Sequence, residues 1–390
     1  MSFDTSLPFN FLPIPTDVHF GPGISASLST HVHALAARKA FIVTDPGVRQ
    51  CGIVDRVTDA LEQGTVPFDI YDRVTADSGS TLICEAVDGL KNSGADVVVG
   101  VGGGSALDTA KAVAALATNP GSPLAYVGLH KVKNRPLPTV AIPTTAGTGS
   151  EVSFWSVFTD DSRQLKVAMG GLQLFPTVAL CDPDLTAGLP PALTASTGMD
   201  ALAHAIECYT NKACQPISAS LALRAIELIG KHLRRATLDG RADRASRAAM
   251  LLASTMAGMA MNSTRLGLAH ALAMPLGSWG LKIPHSVAIA VTLPLVMEFN
   301  HPAAPERFAD VARALGECGD DSPADAARRA AVAVARLARD IGIPKGLSAF
   351  GLSEDHVGGV IEEAMKSGNV GVNPRTTSRE ELAAILRKAM

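Results

Sequence analysis

Asp200 and His204 stand four residues apart in Gly198-Met-Asp-Ala-Leu-Ala-His-Ala-Ile-Glu207. On a helix that spacing puts a carboxylate and an imidazole on one face. Two more histidines, His270 in Leu266-Gly-Leu-Ala-His-Ala-Leu272 and His285 in Ile283-Pro-His-Ser286, lie in equally small and apolar surroundings. One carboxylate with three imidazoles is a donor set for Fe(II) or Zn(II), not for Mg or Ca. Such residues also occur as satisfied members of a helical core, and i,i+4 pairs arise by chance. Spacing alone leaves both readings open.

Gly100-Val-Gly-Gly-Gly-Ser105 offers a different chemistry. It follows a run of valines and opens a helical stretch. Glycines let the backbone approach an anion, and the first N–H groups of a helix point at it. Ser105-Ala-Leu-Asp108 reads as the cap of that helix. The loop is neither G-x-G-x-x-G nor a Walker A sequence, and a tight strand–helix turn without a ligand would have the same composition. A second loop, Pro143-Thr-Thr-Ala-Gly-Thr-Gly-Ser-Glu151, follows a second strand and is dense in hydroxyls. Both would lie at the carboxyl edge of one sheet, where open α/β sheets bind ligands, and two such loops suit a dinucleotide better than a single phosphate. Asp45, ending the first strand, shares that edge. A carboxylate there accepts from ribose hydroxyls and repels a 2′-phosphate, favouring NAD over NADP. It reads equally as the turn residue before Pro46-Gly47.

Regular elements must hold these residues. The first half alternates between strand-like runs at 39–44, 68–71, 95–101 and 139–142 and helical stretches at 54–63, 80–93 and 105–116. The run Ala95-Asp-Val-Val-Val-Gly-Val101 is what a strand buried on both faces looks like. The alternation predicts βαβ units and a parallel sheet. Beyond Asp182-Pro183 the strand signal fades. Helical periodicity then fills 192–209, 218–235, 242–261, 305–317, 323–341, 353–366 and 378–390, the last opening on the capping box Ser378-Arg-Glu-Glu381. The expectation is an α/β dinucleotide-binding domain with a parallel Rossmann-like sheet over 1–187, and an all-helical metal-binding domain over 188–390.

Composition narrows the function class. Among 390 residues, 34 Lys+Arg against 37 Asp+Glu leave a net charge of −3. That balance carries no electrostatic footprint for nucleic acid or an anionic membrane. Charged residues at 18 % and hydrophobic residues at 47 % argue against disorder. The apolar stretches 250–261 and 287–297 are too short to span a bilayer. Six cysteines, Cys51, Cys84, Cys181, Cys208, Cys214 and Cys318, form no C-x-x-C pair and read as reduced thiols. The N-terminal segment lacks the basic region and long apolar run of a secretory signal. A soluble, cytoplasmic protein is expected.

Four long motifs, taken in order, resemble the iron-containing (group III) alcohol dehydrogenases. They are Gly102-Gly-Gly-Ser-Ala-Leu-Asp-Thr-Ala-Lys111, Pro143-Thr-Thr-Ala-Gly-Thr-Gly-Ser-Glu-Val152, Gly198-Met-Asp-Ala-Leu-Ala-His-Ala-Ile-Glu207, and Gly267-Leu-Ala-His270 with Pro284-His285. The likeness is collinear from about Phe20 to Asn373-Pro-Arg375 and implies the two-domain architecture shared with dehydroquinate synthase-like proteins. It implies NAD and Fe(II), with Zn(II) as a substitute. By position, Gly102, Gly103, Gly104 and Ser105 would cradle the pyrophosphate and Asp45 would read the adenosine ribose. Thr144, Thr145 and Thr148 would flank the nicotinamide half, with Asp108 and Lys111 at the loop helix. Asp200, His204, His270 and His285 would hold the metal; all four are present, unlike in the similar metal-independent maleylacetate reductases.

Family members often carry a second histidine four residues after the third ligand; here the position is Met274, which shifts a proton relay to water or the cofactor ribose. Ser153, Trp155, Val157, Met261 and Asn369 fall where the family lines its substrate pocket, and Trp279 lies in a loop before His285 that could close over a substrate. Arg265 occupies a position that is often small in the family. It reads as an anchor for a carboxylate, phosphonate or sulfonate, or as a surface or interdomain ion-pair partner. The implied activity is NAD(H)-dependent interconversion of a small primary alcohol and its aldehyde, by a homodimer or larger homo-oligomer. Two alternatives stand beside it. A dehydroquinate-synthase-like cyclase needs a clustered basic pocket, for which Arg265 is the one candidate cation. A non-catalytic NAD-binding assembly protein has no use for four intact ligands.

Overall fold

In the computed structural model, which describes residues 8–390 except 279, 280, 282, 318, 320 and 321, the valine run is the strand with every residue buried that its composition predicts. Residues 14–189 form one unit. Its strands are β1 (Asp17–Phe20), β2 (Ala40–Thr44), β3 (Phe68–Tyr71), β4 (Val97–Gly102), β5 (Gly128–Leu129), β6 (Thr139–Pro143), β7 (Trp155–Asp160), β8 (Leu165–Gly170) and β9 (Val178–Cys181). Its helices are α1 (Leu28–Ala34), α2 (Pro46–Gln50), α3 (Ile53–Gln63), α4 (Ser80–Ser93) and α5 (Gly104–Thr118). Six strands make a parallel sheet in the order β1-β9-β6-β4-β2-β3.

Side chains alternate across this sheet into two cores. Ala40, Ile42, Val97, Val99 and Val101 meet Leu28, Val57 and Leu61 from α1 and α3 on one face. Phe41, Val43 and Val98 meet Ile83, Leu90, Ala110 and Val113 from α4 and α5 on the other. Burial on both faces explains why β2 and β4 read as uninterrupted apolar runs.

The strands β1, β5, β7, β8 and β9 lie outside the predicted set. β7 and β8 form an antiparallel hairpin in a separate three-stranded sheet, order β5-β8-β7. Its signal is weak because the inward positions of β7 are Ser156, Phe158 and Asp160. Two of these are polar and are satisfied internally: Ser156 Oγ donates to the Asp108 carbonyl at 2.8 Å, and Asp160 accepts from Ser162.

The second unit takes residues 190–390 together with residues 8–13. It is helical: α6 (Pro191–Thr210), α7 (Pro216–Leu238), α8 (Arg244–Thr264), α9 (Leu268–Leu276), α10 (His285–Asn300), α11 (Pro305–Ala314), α12 (Pro323–Asp340), α13 (Glu354–Met365), α14 (Gly368–Val372) and α15 (Arg379–Lys388). The division falls between Leu189 and Pro190, and 8–13 run with the helices rather than with the α/β unit. Leu12 N–H donates to Ser263 Oγ at 2.9 Å. The Ser378–Glu381 capping box is formed in both directions. Helices α9 and α10 were not expected, and each carries an internal proline, Pro275 and Pro294, which weakens a helical pattern. Among the described residues no helix is long and apolar enough to cross a membrane.

Candidate functional site

Helix α6 presents Asp200, His204 and Glu207 at i, i+4 and i+7, on one face. His270 comes from α9. His285 is the first residue of α10, set by Pro284 at the N-cap. Because α10 packs on both α6 and α9, donors from three helices converge. One ligand atom each from Asp200, His270 and His285 lie within 4.8 Å of one another, and Asp200 Oδ1 is 3.5 Å from His270 Nε2. The His204 ring lies beside this trio, its centroid 4.4 Å from that of His270. Three of the four expected ligands are thus gathered and the fourth is their immediate neighbour.

Asp200 Oδ1 and His270 Nε2 are buried without a hydrogen-bond partner. Leaving such atoms bare costs about 1–3 kcal/mol each. A carboxylate oxygen and an imidazole nitrogen, bare and facing each other with His285 and His204 beside them, suit a divalent transition ion, so these residues fit Fe(II) or Zn(II). The electrostatics agree. Burial works to raise the Asp200 carboxyl, but His204, His270 and His285 outweigh it and hold it well below the usual range. Burial works to lower His270, but Glu207 and Asp200 outweigh it and push it up to about 9. Asp200 is thus held ionised by its histidine neighbours, and His270 sits where Glu207 and Asp200 favour positive charge.

Glu207 is the residue that sequence reasoning missed. Its Oε2 accepts from Gly267 N–H at 2.8 Å and lies 2.6 Å from His270 Nδ1, while Oε1 accepts from Ala269 N–H at 2.7 Å. The available signal was its i+7 spacing from Asp200.

In the α/β unit the two loops meet at the carboxyl edge of the sheet. Thr144 N–H donates to the Gly102 carbonyl at 3.0 Å. A Cβ on Gly103 would lie 3.3 Å from Thr145 Cγ2, and one on Gly104 would lie 2.6 Å from Thr148 Cγ2. Gly102 has φ 151°, and a Cβ there would come 2.7 Å from Ala106 Cβ, so the turn into α5 requires glycine. The N-cap of α5 is Gly103, with no side-chain cap. Ser105 does not cap the helix as expected, because it is the second residue inside α5, past the N-cap Gly103, and its hydroxyl donates to the Ala76 carbonyl. The opening N–H groups of α5 are therefore left for an anion. Asp45 is the turn residue at the start of α2 and also borders the glycine loop. Its Oδ1 caps α2 by accepting from Val48 N–H at 3.0 Å, and its Oδ2 lies 3.3 Å from the Cβ position of Gly102. Asp108 is turned inward: Oδ1 accepts from Ser150 Oγ and Oδ2 from Val157 N–H at 2.9 Å.

The expected substrate-side residues divide between the units. Ser153 is buried within 3.5 Å of Lys111 Nζ. Trp155 packs its ring over Gly170, across the β7–β8 hairpin. Val157 binds Asp108 through its backbone. In the helical unit Met261 is buried on α8, and Asn369 Oδ1 accepts from Leu266 N–H at 3.3 Å. Arg265 is exposed and lies against Gly368. No carboxylate pairs with it among the described residues. Met274 sits half-buried one turn after His270. Trp279 lies outside the described residues.

Comparison with known proteins agrees along the whole chain. Residues 15–183 match the family model for iron-containing alcohol dehydrogenase, and residues 194–390 match that for the C-terminal part of the Fe-containing alcohol dehydrogenase family. The chain is 39 % identical to 1,3-propanediol dehydrogenase of Klebsiella pneumoniae over 385 residues, covering 98 % of each. It is 37 % identical to NAD-dependent methanol dehydrogenase of Bacillus methanolicus over 382 residues, covering 98 % of this chain and all of that one. A crystal structure of 1,3-propanediol oxidoreductase superposes with a TM-score of 0.95 at 38 % identity, over 98 % of this chain and 100 % of that one.

Proposed function

We propose that this chain, which belongs to the iron-containing alcohol dehydrogenase family, interconverts a small primary alcohol and its aldehyde with NAD(H) and a divalent metal. The observation that carries the reading is the buried, unbonded pair Asp200 Oδ1 and His270 Nε2, with His285 beside it. Asp200, His204, His270 and His285 would hold Fe(II) or Zn(II). When bound, the metal supplies a Lewis acid for the substrate oxygen, and the nicotinamide supplies the hydride donor or acceptor.

The chain's own residues do the rest. Gly102, Gly103, Gly104 and Ser105 offer backbone N–H groups at the start of α5 to the pyrophosphate. Asp45 receives ribose hydroxyls and repels a 2′-phosphate. Thr144, Thr145 and Thr148 line the nicotinamide half. Asp108, bonded on both oxygens within the protein, positions these loops rather than touching the cofactor. Met274 has no titratable group and would carry no substrate proton; water or a ribose hydroxyl of the bound cofactor would supply that role. A cytoplasmic location, in keeping with five free cysteines among the described residues, and a homodimer or larger assembly belong to the same proposal.

The test is NADH formation and consumption on a panel of short alcohols, diols and aldehydes. It uses metal-stripped protein reloaded with Fe(II) or Zn(II). Turnover that returns only with metal is expected; none with either metal on any panel member would overturn the reading.

A second reading concerns the substrate. Arg265 is an exposed guanidinium with no carboxylate partner among the described residues, a few residues from His270, and would hold a carboxylate, phosphonate or sulfonate. Aldehydes bearing an acidic tail should then be preferred over neutral ones, and Arg265→Ala should abolish the preference. Equal kcat/KM for both classes would remove it.

A further inference from the structure

We propose that Glu207 is a positioning residue of the metal centre, fixing the tautomer and ring orientation of His270 so that Nε2 is the bare nitrogen facing Asp200 and His285. The inference rests on the metal reading above.

The carboxylate is itself held from two sides. Gly267 N–H and Ala269 N–H donate to it at 2.8 and 2.7 Å. These groups belong to the start of α9, where the helix dipole favours negative charge. An ionised carboxylate only accepts, so the proton in its 2.6 Å contact with His270 sits on Nδ1. In a neutral imidazole that leaves Nε2 as a lone-pair donor. The same contact locks the ring, because the carboxylate cannot move without losing both backbone donors. Helix α6 therefore supplies Asp200 as a ligand and, seven residues on, the group that aims the ligand of α9. Gly267 is part of the device: a Cβ there would lie 2.8 Å from Glu207 Oε1, so a larger residue would push the carboxylate out of place. A carboxylate behind a ligating histidine commonly governs metal affinity in this way.

The full-length, metal-stripped protein is titrated calorimetrically with Zn(II) alone. Glu207→Gln must turn an NH2 toward one of three donors, and its Zn(II) dissociation constant should rise about 10–100-fold while circular dichroism shows the helices intact. Gly267→Ala should shift affinity in the same direction. A role confined to capping α9 would lower the melting temperature and leave the dissociation constant alone. In Zn(II)-loaded wild type, labelled with 15N-histidine, the His270 resonance, assigned by its loss in His270→Ala, should carry its proton on Nδ1. This spectrum decides the matter if the variants do not fold. Unchanged Zn(II) affinity in both folded variants, or a proton on Nε2, overturns the proposal. Wild type that takes up neither Zn(II) nor Fe(II) overturns the metal reading as well, which separates the two failures.

Discussion

Lys111 Nζ lies 2.9 Å from Asp108 Oδ1, with the lysine side chain only 1 % exposed. The same ammonium donates to the carbonyls of Ser150, Ser153 and Trp155. Asp108 holds Ser150 Oγ and Val157 N–H from the other side. This pair, a buried lysine and a half-buried aspartate, thus fastens α5, just past the glycine loop, to the segment 150–157. Removing the lysine leaves Asp108 with only its hydrogen bonds from Ser150 and Val157 to hold its charge, a loss of about 1–3 kcal/mol. Lys111→Met should lose stability on that scale in urea unfolding and should weaken NAD binding. Adding Asp108→Asn should return part of the loss, because partners in contact are not additive.

Asp45 caps α2 and lies beside Gly102, so its charge and its capping oxygen can be separated. Asp45→Ser keeps an oxygen for Val48 N–H and removes the repulsion toward a 2′-phosphate, worth on the order of 1–4 kcal/mol. The NADP-to-NAD ratio of kcat/KM should rise at least about tenfold, with little change in melting temperature. A ratio that stays put would reduce Asp45 to a cap.

Arg265 adopts φ 60°, ψ −166°, a region almost reserved for glycine and costing about 1–3 kcal/mol. Its carbonyl holds the conformation, accepting from Thr264 Oγ1 at 2.8 Å and Asn211 Nδ2 at 3.2 Å. Arg265→Gly relieves the strain and adds unfolded-chain freedom worth up to about 1 kcal/mol. A net gain of about 1 kcal/mol in unfolding free energy is expected. A loss in thermal or urea unfolding would show that the side chain's packing on Gly368 outweighs the backbone.

Asp161 fastens the turn between β7 and β8 to the start of α4, accepting from Thr81 N–H at 2.8 Å and Ser80 Oγ at 3.2 Å. Burial works to raise its carboxyl, but the bonds from Thr81 and Ser80 outweigh it and hold the group below its ordinary value. A depressed carboxyl stabilises the fold above its unfolded value, near 4. That contribution fades as pH falls through the folded value. Asp161→Asn should therefore be less stable than wild type at pH 7, and the two unfolding curves should converge toward pH 3. A difference that persists at pH 3 would assign the effect to packing.

Much of the site is legible locally. Asp200, His204 and Glu207 fall on one stripe because 3.6 residues make a turn, and the glycines before α5 announce a close backbone approach. What fails locally fails for stated reasons. The prolines inside α9 and α10 break the helical pattern, and the inward face of β7 is polar because Asp108 and Ser162 satisfy it.

The sequence by itself determined the local half of this protein: a doubly buried valine strand, a glycine turn into a helix, and a helix carrying an acid and an imidazole one turn apart. All of these rest on periodicity and on conformations that only certain residues adopt. Only the tertiary structure decided which polar groups meet. It turned Asp108 inward to Lys111 and Ser150, and placed Glu207 behind His270, 63 residues further along the chain. It left Asp200 Oδ1 and His270 Nε2 bare. A buried polar group takes whichever partner the packing of distant elements brings within reach, and residue spacing along a chain does not encode that distance.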